Sequence, residues 1–102
     1  MTADKTKKRM SVRWSLYILK CGDGTLYTGI TNDLDRRVAQ HNSGTASRYT
    51  RSRLPVALLH HEPCRSRSSA LRKEYAVKQL PRPEKEEYIK AFSRKVARAA
   101  KA

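Results

Sequence analysis

The spacing of apolar residues divides the chain into strand-like and helix-like segments. Alternation of apolar and polar positions predicts a β-hairpin over residues 13–31 and a strand over 55–62. Helical spacing predicts helices over 32–43, 66–80 and 84–98. The order β-β-α-β-α-α predicts an α+β fold, in which helices flank a three-stranded antiparallel sheet.

The length of the hairpin turn decides which side chains share a face. A two-residue turn at 23–24 would put Tyr17 and Tyr27 on opposite faces of the hairpin. A three-residue loop over 22–24, with its last glycine in the left-handed conformation, puts both tyrosines on one face and a largely apolar set on the other. We favour the three-residue loop because it separates the side chains by polarity.

In this register Gly29 lies across from Tyr17 and leaves open space beside the tyrosine ring. A glycine within a strand often marks the close approach of a ligand. Simple packing of two tyrosines on a sheet explains the pattern equally well at this point.

The first helix carries two polar residues on the stripe that faces the sheet. The stripe has i, i+3, i+4, i+7 spacing and consists of Leu34, Arg37, Val38 and His41. A charge on such a stripe is costly unless it is paired or lies in a cleft. We interpret Arg37 and His41 as site residues; the alternative is a snorkelling arginine and a capping histidine. Arg36 points outward.

The second helix has a similar anomaly. Glu74 falls within its apolar arc, which is made of Ala70, Leu71, Val77 and Leu80. A carboxylate there needs a partner, and the candidates are Arg37, Lys78 or a divalent metal ion. An internal salt bridge from Arg37 to Glu74 is as good an explanation as a metal site.

The charge of the protein indicates a polyanionic partner. The 102 residues include 23 Lys and Arg against 9 Asp and Glu, a net charge of +14. The segment 44–54 concentrates arginines, an aromatic ring and hydroxyls, which suit a phosphate backbone with an unstacked base. Its predicted contacts are Arg48, Tyr49, Thr50, Arg51 and Arg53; the alternative is a basic surface loop without a ligand. An anionic membrane surface is disfavoured because the last helix has acidic residues in its first turns.

Composition also excludes several classes of protein. No run of about 18 apolar residues exists, and the first ten residues do not resemble a signal peptide, so we expect a cytoplasmic protein. Residues 1–12 are expected to form a flexible basic arm, 13–98 a single domain and 99–102 a tail. We interpret Cys21 and Cys64 as small apolar residues, because a cytosolic disulfide is rare. His60 and His61 point to opposite faces of a strand and cannot chelate a metal ion together.

These residues together resemble the GIY-YIG nuclease superfamily, and above all its small single-domain bacterial members. The two naming motifs correspond to SLY at 15–17 and YTG at 27–29, followed by ITNDLDRRVAQHNSG and ALRKEYAVKQL. The resemblance covers about residues 13–90. Ser15, Leu16 and Thr28 depart from the family pattern at positions without side-chain chemistry.

The resemblance implies a role for each matching residue. Tyr17 corresponds to the general base, Tyr27 to a tyrosine that positions water or phosphate, and Arg37 to the arginine that stabilises phosphoryl charge. His41 corresponds to a supporting histidine, and Glu74 to the ligand of a single Mg²⁺ or Mn²⁺ ion.

The predicted function is therefore a metal-dependent DNA endonuclease that selects single-stranded or branched DNA in repair, recombination or DNA processing. Arg36 and Lys78 are added as nucleic-acid contacts. RNA stays open as a substrate, and a protein partner is a candidate source of specificity. The alternative is a non-catalytic module that binds nucleic acid through the same basic surface.

Overall fold

A computed structural model describes residues 13–101, and the predicted arm over 1–12 lies outside them. The three strands form one antiparallel sheet in the order β2-β1-β3, with helices on both faces. This arrangement confirms the predicted α+β fold. In chain order the elements are β1 (Trp14–Lys20), β2 (Leu26–Thr31), α1 (Leu34–Asn42), α2 (Arg48–Arg51), β3 (Ala57–Cys64), α3 (Arg67–Lys78) and α4 (Arg82–Lys101).

The hairpin between β1 and β2 has the three-residue loop that the polarity pattern predicts. Tyr17 pairs with Gly29 across the two strands. The Cys21 N–H donates to the Thr25 carbonyl at 2.8 Å, and Gly24 has a φ of +87°. Glycine adopts this left-handed conformation without steric cost. Both tyrosines of the hairpin therefore lie on one face of the sheet.

Each face of the sheet has its own core. The face beneath α3 and α4 buries Leu16, Ile18, Cys64, Ala70 and Val77. The opposite face lies beneath α1 and buries Tyr17, Leu19, Cys21 and Val56. Both cysteines are free and buried, in keeping with their interpretation as small apolar side chains. No helix within 13–101 is both long enough and apolar enough to cross a bilayer.

Several predicted boundaries shift. Strand β3 begins and ends two residues later than predicted, and α4 begins at Arg82 because Pro83 is tolerated in a first helical turn. The helix runs through Lys101, so most of the predicted tail over 99–102 is helical. Leu71 was predicted to be part of the apolar arc of α3, but it is 39% exposed because the core contacts of this helix are made by Ala70 and Val77.

A buried carboxylate joins β3 to the two C-terminal helices. Glu62 is 2% exposed and accepts hydrogen bonds from Lys73 at 2.8 Å and from Tyr88, and it is 2.9 Å from His60 Nε2. Burial alone would raise the pKa of Glu62, but bonds from His60, Lys73 and Tyr88 outweigh burial and lower it to about 2. No local pattern predicts this cluster, because Tyr88 lies 26 residues beyond Glu62 in the sequence.

Replacing Glu62 with Ala is expected to lower the free energy of unfolding by about 3 kcal/mol at pH 7, since three polar groups lose their acceptor. A carboxylate with a lowered pKa stabilises the fold above its ordinary pKa near 4.5, and this stabilisation fades as the pH falls toward 2. Urea unfolding at pH 7 and pH 3 measures both effects. The exposed Glu87→Ala variant should change stability by less than about 0.5 kcal/mol. A loss for Glu62→Ala that matches this control would contradict the prediction.

Candidate active site

Side chains from four elements meet on the sheet face beneath α1. Tyr17 and Tyr27 rise from β1 and β2, and their ring centroids are 6.4 Å apart. Helix α1 begins at the N-cap Asp33, ends near Gly44, and turns its His41 ring to within 5.1 Å of the Tyr27 ring. The fold therefore brings together Tyr17 and His41, which lie 24 positions apart in the sequence.

A chain of hydrogen bonds runs through the buried centre of the site. The Tyr17 hydroxyl is 2.8 Å from His41 Nε2, and His41 Nδ1 is 2.7 Å from Thr50 Oγ1. Thr50 Oγ1 lies 3.0 Å from the Ser47 hydroxyl. A neutral imidazole has one N–H. When Nδ1–H donates to Thr50, Nε2 is therefore the acceptor for the Tyr17 O–H.

The protonation states of the pair follow from burial. Burial raises the pKa of Tyr17 to about 12, and the nearby Arg37 guanidinium offsets part of the rise. Tyr27 and Glu74 lie close enough to raise the pKa of Tyr17 further. Burial, and then the charge of Arg37, lower the pKa of His41 below its ordinary value. Tyr17 is thus a phenol and His41 a neutral ring at pH 7.

The space beside Gly29 is filled, which contradicts the prediction of open space there. The Tyr17 ring itself lies against the glycine backbone, and a Cβ at position 29 would stand 2.6 Å from the Tyr17 hydroxyl oxygen. The correction has a simple steric cause, because only a residue without a side chain allows the ring to lie across β2. Gly29 therefore sets the position of the hydroxyl that reaches His41.

Arg37 and Glu74 do not form the salt bridge considered from the sequence. Arg37 Nη1 donates to Gln40 Oε1 at 3.1 Å, whereas Glu74 pairs with Lys78 at 3.2 Å. The Glu74 side chain is 18% exposed, and its charge is close enough to raise the pKa of Tyr17. Lys78, predicted to contact phosphate, is thus held beside the carboxylate.

Glu74 supplies the one carboxylate that we assign as a metal ligand in this site. Among residues 13–101 there is no group of three His, Cys, Asp or Glu side chains that could hold one. Mg²⁺ is commonly bound by one or two carboxylates, with waters and substrate phosphate completing its shell. Glu74 fits that arrangement, provided that a phosphodiester supplies further oxygens. His60 and His61 take no part, since one is buried and the other exposed on β3.

The basic segment is more ordered than a loop. Residues Arg48–Arg51 form the short helix α2, with Ser47 as its N-cap. Thr50 was predicted to contact nucleic acid directly, but its side chain is fully buried against His41. Sequence reasoning therefore missed its place inside the site, although a serine cap at position 47 was the available signal for a helix here.

The remaining predicted contacts differ in how freely they reach solvent. Arg48 and Arg51 are exposed on α2, and Arg36 is exposed on α1. Arg53 is partly held by the hairpin, since its Nε lies 3.0 Å from the Asp23 carboxylate. Its guanidinium also covers the Tyr49 ring at 3.9 Å from the centroid. These arginines stay candidates for nucleic-acid contact, with Arg53 the most constrained.

Two strand tyrosines, Arg37, His41 and Glu74 make up the candidate site. Comparison with known proteins shows the class of protein to which the chain belongs. The GIY-YIG catalytic domain matches residues 13–88, and the chain belongs to this family, which is a nuclease family. The chain is similar to a group of small bacterial and archaeal members of this family.

Curated relatives and solved structures agree on that group. The chain is 53% identical to the UPF0213 protein DP2720 of Desulfotalea psychrophila, over 76% of this chain and 72% of that protein. It is 54% identical to the UPF0213 protein VNG_2274C of Halobacterium salinarum, over 70% and 92% of the two chains. Two solution structures share the fold. The UPF0213 protein BH0048 of Bacillus halodurans is 43% identical, with 78% of this chain and 84% of that chain covered and a TM-score of 0.52. The E. faecalis protein EF2693 is 42% identical, with 79% of this chain and 86% of that chain covered and a TM-score of 0.58.

Two glycine substitutions should separate the site from the turn. Gly29→Ala is expected to displace the Tyr17 hydroxyl and change the ¹⁵N chemical shift of His41 Nε2, because the added methyl overlaps the ring. Gly24→Ala meets no atom within 4 Å but must adopt a φ of +87°, so it should destabilise the fold by about 1 kcal/mol. Its His41 signal should be unchanged. An unaltered Nε2 shift in Gly29→Ala would show that the glycine does not position the tyrosine.

Proposed function

We propose that the protein is a metal-dependent DNA endonuclease that hydrolyses phosphodiester bonds. The observation that carries this proposal is the hydrogen bond from the buried Tyr17 hydroxyl to a neutral His41, beside Arg37 and Glu74. Membership of a nuclease family supports the same reaction class.

The proton path follows from the protonation states of Tyr17 and His41. A tyrosine with a pKa of about 12 is almost never ionised at pH 7, so a free tyrosinate is too rare to be the base. Instead, the Tyr17 oxygen accepts a proton from the attacking water while its own proton moves to His41 Nε2. The water oxygen bonds to phosphorus as the bond from phosphorus to the leaving oxygen breaks, and the leaving oxygen takes a proton from solvent water. The buried His41 holds the transferred proton until the product leaves, and the proton then returns to solvent through the Tyr17 hydroxyl.

Charge on the phosphate is met by two side chains. The Arg37 guanidinium is the cation closest to the Tyr17–His41 pair, and it stabilises the phosphoryl oxygens. Glu74 is the residue that would hold one Mg²⁺ or Mn²⁺ ion, and such an ion supplies Lewis-acid stabilisation of the same charge. Tyr27, next to both rings, positions the water or the phosphate.

The substrate we propose is single-stranded or branched DNA, in repair, recombination or related DNA processing. A small domain offers few side chains for reading a long base sequence in a groove. Exposed Arg36, Arg48 and Arg51 would contact the backbone, and a protein partner would supply further selectivity.

Cleavage of labelled single-stranded, duplex and branched DNA tests the proposal. We expect nicking with Mg²⁺ or Mn²⁺, none with a chelator, and the highest rate on the single-stranded or branched substrates. RNA of the same sequence is the parallel substrate. Salt-sensitive binding to every DNA without cleavage of any would favour the non-catalytic binding module instead.

Thr50 offers a test of the proton path. Thr50→Val removes the acceptor for His41 Nδ1–H. Loss of this hydrogen bond should slow nicking about fivefold, since one hydrogen bond contributes roughly 1 kcal/mol. Thr50→Ser restores the hydroxyl and should recover most of the rate. Single-turnover rates at saturating DNA separate this effect from weaker binding. Equal rates for the Val and Ser variants would exclude a positioning role for Thr50.

A further inference from the structure

A cleft of about 240 Å³ lies beside the site, between the end of β2 and the first turns of α1. Trp14 and Ile30 give it an apolar surface, while Arg36, Arg37 and Gln40 give it a polar one. It is smaller than most pockets for drug-sized ligands, which begin near 300 Å³. Its size therefore suits one flat group with a small charged attachment.

The cleft is positively charged. Within the described part of the chain, neither Arg36 nor Arg67 forms a salt bridge, and Arg67 lies over the Trp14 ring at 5.7 Å from its centroid. The carboxylate of Asp33 also lines the cleft, but it is engaged as the N-cap of α1 and accepts from the Arg36 N–H at 3.3 Å. A cleft lined by an indole ring and two guanidinium groups favours an aromatic ligand that carries an anion.

Arg37 connects this cleft to the chemistry. The same guanidinium that lines the cleft affects the pKa of both Tyr17 and His41. A ligand in the cleft and a phosphate held at Tyr17 would therefore both lie beside Arg37. A nucleic acid strand has this repeating order of phosphate and flat base.

We propose that the cleft binds one unstacked nucleotide of single-stranded DNA, with its base against Trp14 and its phosphate against Arg36. This inference rests on the proposed function for the position of the scissile phosphate. Bases paired in a duplex do not expose their faces, so the cleft selects single strands, frayed ends and branch points. Trp14 thus contributes to specificity.

Trp14 is the only tryptophan of the chain, so its fluorescence reports directly on binding in the cleft. We expect a deoxythymidine oligomer, added to the wild-type protein with chelator, to quench Trp14 fluorescence with the same midpoint that anisotropy of a labelled oligomer gives. An abasic oligomer of equal length should bind through its phosphates and leave the emission nearly unchanged, and duplex DNA should do the same. Oligomer binding without quenching, or equal quenching by the abasic strand, would overturn the proposal. RNA that quenches while DNA does not would overturn the assignment to DNA.

Variants distinguish the cleft from general basic charge. Trp14→Leu should weaken binding of the deoxythymidine oligomer about tenfold or more, and Trp14→Phe much less, because a base can still stack on phenylalanine. Arg36→Ala should weaken binding and reduce the slope of log K against log salt by about 0.7. Arg98→Ala, an exposed charge on α4 outside the cleft, should leave the quenching unchanged. Equal effects of Arg36→Ala and Arg98→Ala would overturn the proposal.

The cleavage assay tests the proposed nuclease independently of the fluorescence measurement. Quenching by the oligomer, together with no cleavage of any substrate in Mg²⁺ or Mn²⁺, would support the cleft as a nucleotide site and overturn the proposed nuclease.

Discussion

Tyr17→Phe is expected to slow DNA nicking at least a hundredfold, the usual scale for loss of a positioned acid–base group. Phenylalanine keeps the ring against Gly29 but removes the oxygen that is 2.8 Å from His41 Nε2. The attacking water then has no acceptor for its proton, although Arg37 and Glu74 are unchanged. Single-turnover rates at saturating DNA are the measurement, because they exclude a change in binding.

A matched control exists on α3. Tyr75 is 70% exposed, and its Phe variant should cut at the wild-type rate. DNA affinity should be similar for both Phe variants, since neither changes the charge of the protein. If Tyr17→Phe retained more than about a tenth of the wild-type rate, water would have to lose its proton elsewhere, and the role of Tyr17 as base would be wrong.

Glu74→Gln is expected to reduce metal-dependent nicking by at least a hundredfold, and addition of more Mg²⁺ or Mn²⁺ should not restore the rate. An amide keeps the shape of the side chain but gives up the charge that a divalent ion requires. Binding of DNA should not weaken, because the substitution removes a negative charge and frees Lys78. Mn²⁺ binding in the presence of a DNA analogue that cannot be hydrolysed, followed by the relaxation of water protons, reports on the metal directly.

Glu86 provides the control for this substitution. It also pairs with a basic residue four positions away, as Arg82 lies 2.8 Å from its carboxylate. Glu86→Gln breaks an equivalent i,i+4 pair on α4 and should leave both nicking and Mn²⁺ binding unchanged. Wild-type metal binding in Glu74→Gln would contradict the assignment of the ligand, even if the variant proved inactive.

Features that depend on residues close together in the sequence could be predicted from local patterns. The hairpin register followed from the alternation of side chains on two strands, because a slip of one residue would have exposed the apolar set. The order of the strands and the longer helices followed from periodicity in the same way, but the short helix α2 was predicted to be a loop. Ser66 was predicted as one of two caps for α3, and it is the residue that accepts from the Ser69 N–H.

Features that depend on packing between distant elements could not be predicted. Thr50 looks like any hydroxyl in a basic loop until α2 folds against His41, and Glu62 looks like an exposed acid until α4 brings Tyr88 to it. The partner of Glu74 was open for the same reason, since Lys78 on its own helix competes with Arg37 on another. The prediction of open space beside Gly29 was wrong, because the rotamer of Tyr17, which strand register alone does not give, places the ring against the glycine.

The burial of Thr50 between two exposed arginines has a consequence for protein engineering. Helix α2 has four residues; Arg48 and Arg51 face solvent, and Thr50 supports His41 from within. Exchanging the whole segment with that of a relative, in order to alter nucleic-acid binding, would also exchange the residue that supports the Tyr17–His41 pair. A library that varies 48, 49 and 51 while keeping Ser47 and Thr50 fixed is therefore the design that changes recognition without disabling the chemistry.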